Sequence, residues 1–205
     1  MAIDLKQLLD PTHTALVTQE VQRGVIGDRS PLPELAAEGA KIVPRIAGLC
    51  HAARSAGVPV LHCTAERRED GQGANANARI FQYMAKSEPR LIPGSEAAQI
   101  VPEIEIADSD LVLPRLHGLS PFQGTELDFL LRNLGVRTIV GVGVSVNVAI
   151  TNLAFDAVNA SYQIVLPRDA VAGTPADYAD AVFQHTLRNV ATIVTSDDVL
   201  EAWKA

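Results

Sequence analysis

The stretch VGVGVSVNVAITN, Val140 to Asn152, decides how the chain is read. An apolar run, Thr138 to Val144, ends in a Gly-x-Gly pair, and a helix-compatible segment, Asn147 to Ala160, follows at once. A strand that passes straight into a helix is the repeating unit of a parallel α/β sheet. The same order recurs on both sides. Upstream, strands are expected at Thr14–Thr18, Pro59–Cys63 and Leu111–Leu113, with helices over Pro33–Gly57 and Thr125–Leu134. Downstream, strands at Gln163–Leu166 and Thr192–Thr195 alternate with helices over Thr174–Val190 and Asp197–Trp203, the last capped by Ser196. Pro44 either kinks the first long helix or marks its start. Glu66–Asn77 (ERREDGQGANAN) is polar and Gly-containing and reads as a loop. Near-continuous apolar strands imply a sheet covered on both faces, so the expected architecture is α/β, a doubly wound three-layer αβα sandwich with a mostly parallel sheet. No linker, repeat or low-complexity block interrupts the pattern, and one domain over residues 1–205 is expected.

Composition narrows the partners. The 205 residues are 47% hydrophobic and only 4% aromatic, so Ala, Val, Leu and Ile must build the core. A net charge of −7, with no basic patch, argues against nucleic acid and anionic membranes. MAIDLKQLLD at the start carries Asp4 and Asp10 and has no long apolar run, unlike a secretory signal. The uncharged stretch Thr138 to Phe155 contains Ser145, Asn147, Thr151 and Asn152, and reads as a buried strand plus a helix face, not a membrane span. Cys50 and Cys63 lack metal or redox spacing, so a reducing cytoplasm is the default. His13, His51, His62, His117 and His185 show no metal-ligand grouping, and no metal is expected.

In open α/β sheets ligands bind at the carboxyl ends of the strands. That rule selects Glu20, Cys63, Thr64, Arg115, His117, Ser145, Asn147 and Asp169. The glycine pair itself is a poor dinucleotide fingerprint, because Val146 stands where the third glycine should be. A phosphate-binding lysine is also missing. No cofactor is expected, and Gly141 and Gly143 read as shaping a strand end. A nucleotide-binding oxidoreductase is the weakest reading, testable by a thermal shift with NAD or a flavin.

Five segments, taken in order, carry a resemblance. They are ALVTQEVQRGV (Ala15–Val25), LIPGSEAAQIVPEI (Leu91–Ile104), the run from Leu111 to Val144, SVNVAITNLAFDA (Ser145–Ala157), and LPRDAVAG (Leu166–Gly173) with HTLRNVATIVTSDDVL (His185–Leu200). Together they resemble the isochorismatase-like hydrolase superfamily, which includes the cysteine amidohydrolases. The resemblance implies the αβα fold, a homo-oligomer (dimer or tetramer) and a cis peptide at Val144–Ser145. Its catalytic aspartate falls on Glu20, with Gln22 as the nearby glutamine. Its lysine falls on Leu116, flanked by Arg115 and His117. Its nucleophilic cysteine falls on Ala149, which excludes thioester chemistry there.

Isochorismatases in that superfamily also lack the cysteine. In them a carboxylic acid protonates a vinyl ether before water attacks, which requires a raised carboxyl pKa and a dry pocket. The expected function is therefore hydrolysis of a small molecule, carboxylated ones included, with Glu20 as general acid or base and no covalent cysteine intermediate. Arg115 is the candidate cation and His117 a second proton carrier. Gln22, Ser145, Asn147 and Ala149 are the candidate substrate contacts. The alternative is a catalytically silent binding or assembly protein, since all three catalytic positions depart from the amidohydrolase pattern. Convergence of Glu20 with Arg115 or His117 beside Ala149 in an enclosed pocket would favour the enzyme; a pocket filled by side chains would favour the alternative.

Overall fold

A computed structural model describes residues 3–204; Met1, Ala2 and Ala205, the ends of the expected domain, lie outside the described residues. Among the described residues the strands are β1 (Thr14–Gln19), β2 (Val60–Ala65), β3 (Leu111–Arg115), β4 (Thr138–Val144), β5 (Gln163–Pro167), β6 (Val171–Ala172) and β7 (Thr192–Val194). The helices are α1 (Leu5–Leu8), α2 (Pro33–Ser55), α3 (Arg79–Met84), α4 (Leu127–Asn133), α5 (Thr151–Asn159), α6 (Ala176–His185) and α7 (Ser196–Ala202). The sheet runs β3-β2-β1-β4-β5-β7, with β6 beside β4, and the strand pairs are parallel.

Alternation along each strand makes two cores. Leu16, Val140, Val142 and Val144 pack with Ile42, Ile46 and Leu49 of α2 and Val199 of α7. Ala15, Val17, Leu61 and Ile139 pack with Leu127 and Leu131 of α4, Leu153 of α5 and Val182 of α6. Sheet and helices thus form the expected αβα sandwich. Each fully buried Leu or Ile contributes roughly 1.5–3 kcal/mol through burial. No helix of the described residues is long and apolar enough to cross a membrane.

Chain order places the crevice. From β1 the sheet grows through β2 to β3 on one side, while β4, β5 and β7 lie on the other. The direction reverses between β1 and β4, which is where open α/β sheets leave a crevice beyond the strand ends. Glu20 follows β1 and Ser145 follows β4 at this point.

Several boundaries differ from expectation. β3 runs on to Arg115, which pairs in register with Ala65, so Arg115 ends a strand and does not sit in the loop beyond. Pro44 lies inside α2, which starts at Pro33. The expected helix from Asn147 opens as a π-helical turn, Val146–Ile150, before α5. α6 stops at His185, and a 3-10 turn at Leu187–Asn189 replaces its expected end. Thr195, not Ser196, caps α7, through a reciprocal pair of bonds with Asp198.

The glycine pair has steric work within the sheet. A Cβ on Gly141 would stand 3.0 Å from Leu166 and 3.1 Å from Leu153, so its absence lets α5 lie close. Gly143 has φ +113°, and a Cβ there would meet the Gln19 carbonyl oxygen at 2.2 Å. The close approach is to β1, and nothing about it resembles a phosphate cradle.

Candidate active site

Glu20 leaves β1 with a left-handed backbone, φ 54°. Its N–H still donates to the Cys63 carbonyl at 2.8 Å, which keeps it at the carboxyl end of the sheet. One carboxylate oxygen, Oε1, accepts from Arg115 Nη2 at 2.8 Å and from Gln19 Nε2 at 3.0 Å. The other oxygen makes no hydrogen bond among the described residues. Arg115 is 5% exposed and Glu20 17% exposed at the side chain. The guanidinium also donates through Nε to the Gly118 carbonyl at 3.1 Å and through Nη1 to the Leu119 carbonyl at 3.3 Å. Burial raises the Glu20 pKa; the Arg115 charge and the Gln19 hydrogen bond oppose this but do not cancel it.

Glu20 opens into a cavity of about 170 Å³ beyond the ends of β1, β2 and β4. Its walls are mostly apolar, Val25, Leu32, Leu35, Ile80, Met84 and Leu91 among them. Polar groups on it include Glu66, Arg67 and Ser145. Glu66 and Arg67 were missed by sequence reasoning. They follow Ala65, the true end of β2, whereas the expected strand ended at Cys63. The Glu66 N–H donates to the Arg115 carbonyl and the Arg67 N–H to the Leu91 carbonyl, both at 2.8 Å. Burial also raises the Glu66 pKa, against a weak hydrogen bond from Thr64.

The remaining candidates divide. Ser145 lines the cavity, and the Val144–Ser145 peptide is cis. His117 does not join Glu20: it is exposed beside a separate hollow of about 30 Å³. Gln22 does not line the cavity: its amide is wholly buried and committed to backbone groups. It donates to the Ala65 and Ala98 carbonyls at 3.0 and 2.9 Å and accepts from the Ala65 N–H at 2.8 Å. Asn147 is turned toward Thr174, donating to its carbonyl at 3.4 Å, and leaves a buried Oδ1 without a partner. Ala149 sits in the π-turn, 3% exposed, and does not line the cavity. Cys50 and Cys63 are buried, and burial pushes both thiols up to about 12, so neither supplies a thiolate near neutrality. Ser120 serves the scaffold: its hydroxyl donates to Asp156 on α5 and accepts from the N–H groups of Phe122 and Gln123. No cluster of metal-ligating side chains occurs among the described residues.

Fold and crevice define a doubly wound α/β protein with a buried acid at its topological switch point. The chain belongs to the isochorismatase family: the model of the isochorismatase domain matches residues 14–198. It is 26% identical over 195 residues to the uncharacterized isochorismatase family protein YecD of Escherichia coli O157:H7, covering 95% of this chain and 98% of that one. It is 28% identical over 199 residues to the ureidoacrylate amidohydrolase RutB of Pseudomonas savastanoi pv. phaseolicola, covering 90% and 79%. The solved structure of an isochorismatase family protein from Burkholderia thailandensis superposes with a TM-score of 0.80 at 26% identity, over 96% of this chain and 97% of that one.

Proposed function

We propose that the protein hydrolyses a small molecule, with Glu20 as general acid and water, not a protein thiol, as the nucleophile. The observation that carries this reading is the Glu20 carboxyl, pinned by Arg115 through one oxygen and free at the other, which faces the cavity. In the proposed step the free oxygen, protonated, gives its proton to the substrate as the bond to the leaving group breaks. Water attacks the activated centre and returns a proton to Glu20. Arg115 steadies the carboxylate formed in between and holds its orientation. Membership of the isochorismatase family supports hydrolysis, and the amidohydrolase relative supports acyl-type substrates. The absence of a sulfur at Ala149 and the buried, protonated thiols at Cys50 and Cys63 support a non-covalent route. The Glu20–Arg115 pair beside a cavity at the strand ends supports the enzyme over the assembly reading; Ala149 does not line that cavity.

Purified protein screened against small amides and vinyl ethers provides the test. Glu20→Gln is expected to lower kcat about 10²- to 10⁴-fold, the range for a positioned proton carrier. Because the pKa of Glu20 is raised, the acid form persists above the ordinary carboxyl value of 4.5, and turnover should fall as pH climbs past the raised value. Unchanged turnover in the Gln variant would sink the mechanism.

A further inference from the structure

Six arginines of the described residues are at least half-buried: Arg23, Arg54, Arg67, Arg90, Arg115 and Arg168. Five of them face a carboxylate, on Asp28, Asp110, Glu88, Glu20 and Asp180 respectively. Arg67 alone has none, and its guanidinium makes no hydrogen bond among the described residues. A cation on a cavity wall with no carboxylate of its own is available to pair with an anion that enters the cavity. Arg67 stands on the wall of the Glu20 cavity, shared with the hollow beside His117. Of the other cations nearby, Arg115 is engaged by Glu20 and two carbonyls, and Arg90, also on the cavity, pairs with Glu88 and donates through Nη1 to the Glu69 carbonyl while its buried Nε makes no hydrogen bond.

We infer that the cavity takes a small organic carboxylate with an apolar body, and that Arg67 is the specificity-determining residue that binds its anionic end. This rests on the hydrolase reading only in calling the ligand a substrate. The apolar walls supply the complement to the body. At about 170 Å³ the cavity is below the ~300–1,000 Å³ of pockets for drug-sized ligands, so the body is small. Arg115 keeps its role on Glu20, and the two arginines divide the work: one positions the acid and the other selects the ligand.

The probes are phenylacetate and its neutral counterpart phenylacetamide, with butanoate to octanoate and their amides as a second series, in calorimetric titrations. Wild-type protein should prefer an acid over its amide by about tenfold or more, as a charged hydrogen-bonded pair does over a neutral one. Arg67→Gln should abolish the preference while circular dichroism and Tm stay unchanged, and Arg67→Lys should retain part of it. No acid preference in either series, or a preference that survives Arg67→Gln, overturns the inference. An acid preference in a protein that hydrolyses nothing would sink the hydrolase reading and keep this one. Hydrolysis confined to uncharged substrates, at equal rates in wild type and Arg67→Gln, would do the reverse.

Discussion

Gly143 shows how tightly one position can be specified. With φ +113° and a backbone oxygen 2.2 Å from where a Cβ would be, Gly143→Ala must shift β1 against β4. We expect a loss of at least about 2 kcal/mol, read from urea unfolding, because alanine meets both the backbone conformation and the clash. Glu20 was legible in the sequence because a carboxylate directly after an apolar run is a strand-end group in this architecture. Arg115 and His117 could not be separated there, since two more residues of strand decide which of them points inward. Glu66 and Arg67 were hidden for a similar reason: Thr64 and Ala65 are fully buried but do not read as apolar strand, so β2 seemed to stop early. Gln22 misled in the opposite sense. A buried amide that joins Ala65 to Ala98 makes the same sequence signature as one that greets a ligand.

Strands and helices with strong periodicity were legible, and those defined by caps or tertiary contact were not. β4 and β5 are mostly apolar, β1 carries the apolar run Ala15–Val17, and α2 repeats Ile42, Ile46, Leu49 and Ala53 on its buried side. α3 follows a polar loop and has no buried residues, and β6 is two residues held by register against β4. The cap of α7 was misplaced by one residue because Thr195 and Ser196 are both good caps, and only geometry separates them. Thr195 Oγ1 accepts from the Asp198 N–H at 3.2 Å, while Ser196 donates its hydroxyl to Asp169 at 2.6 Å. Thr195→Ala should therefore cost about 1 kcal/mol of stability in urea denaturation, and Thr195→Ser a fraction of that.

Across the molecule, a buried polar chain ties two strands and the residue before β3 to a helix. Thr18 Oγ1 meets His62 Nδ1 at 2.8 Å, His62 Nε2 meets Asp110 at 3.2 Å, and Arg54 of α2 donates twice to Asp110 at 3.1 and 2.6 Å. Burial pushes the Asp110 pKa up, but hydrogen bonds from Arg54, the Ala107 N–H and His62 outweigh it and hold the pKa below the ordinary 3.8. A depressed carboxyl pKa stabilises the native state above the unfolded value, and that stability is lost as pH falls through the folded value. Asp110→Asn should cost about 3 kcal/mol at neutral pH, since it leaves Arg54 facing no charge. The gap between wild type and variant should narrow below pH 3.8, as measured by urea unfolding at a series of pH values. The sheet order has a consequence in time as well as in space. β1 and β4 are neighbours in the sheet, yet two strands and their helices are made between them on the ribosome. The emerging chain therefore presents Glu20 long before it can present Ser145 or close the floor of the cavity. Pairing so distant in sequence closes late and slows folding. A chain interrupted before β4 carries the acid but has no chamber in which to use it.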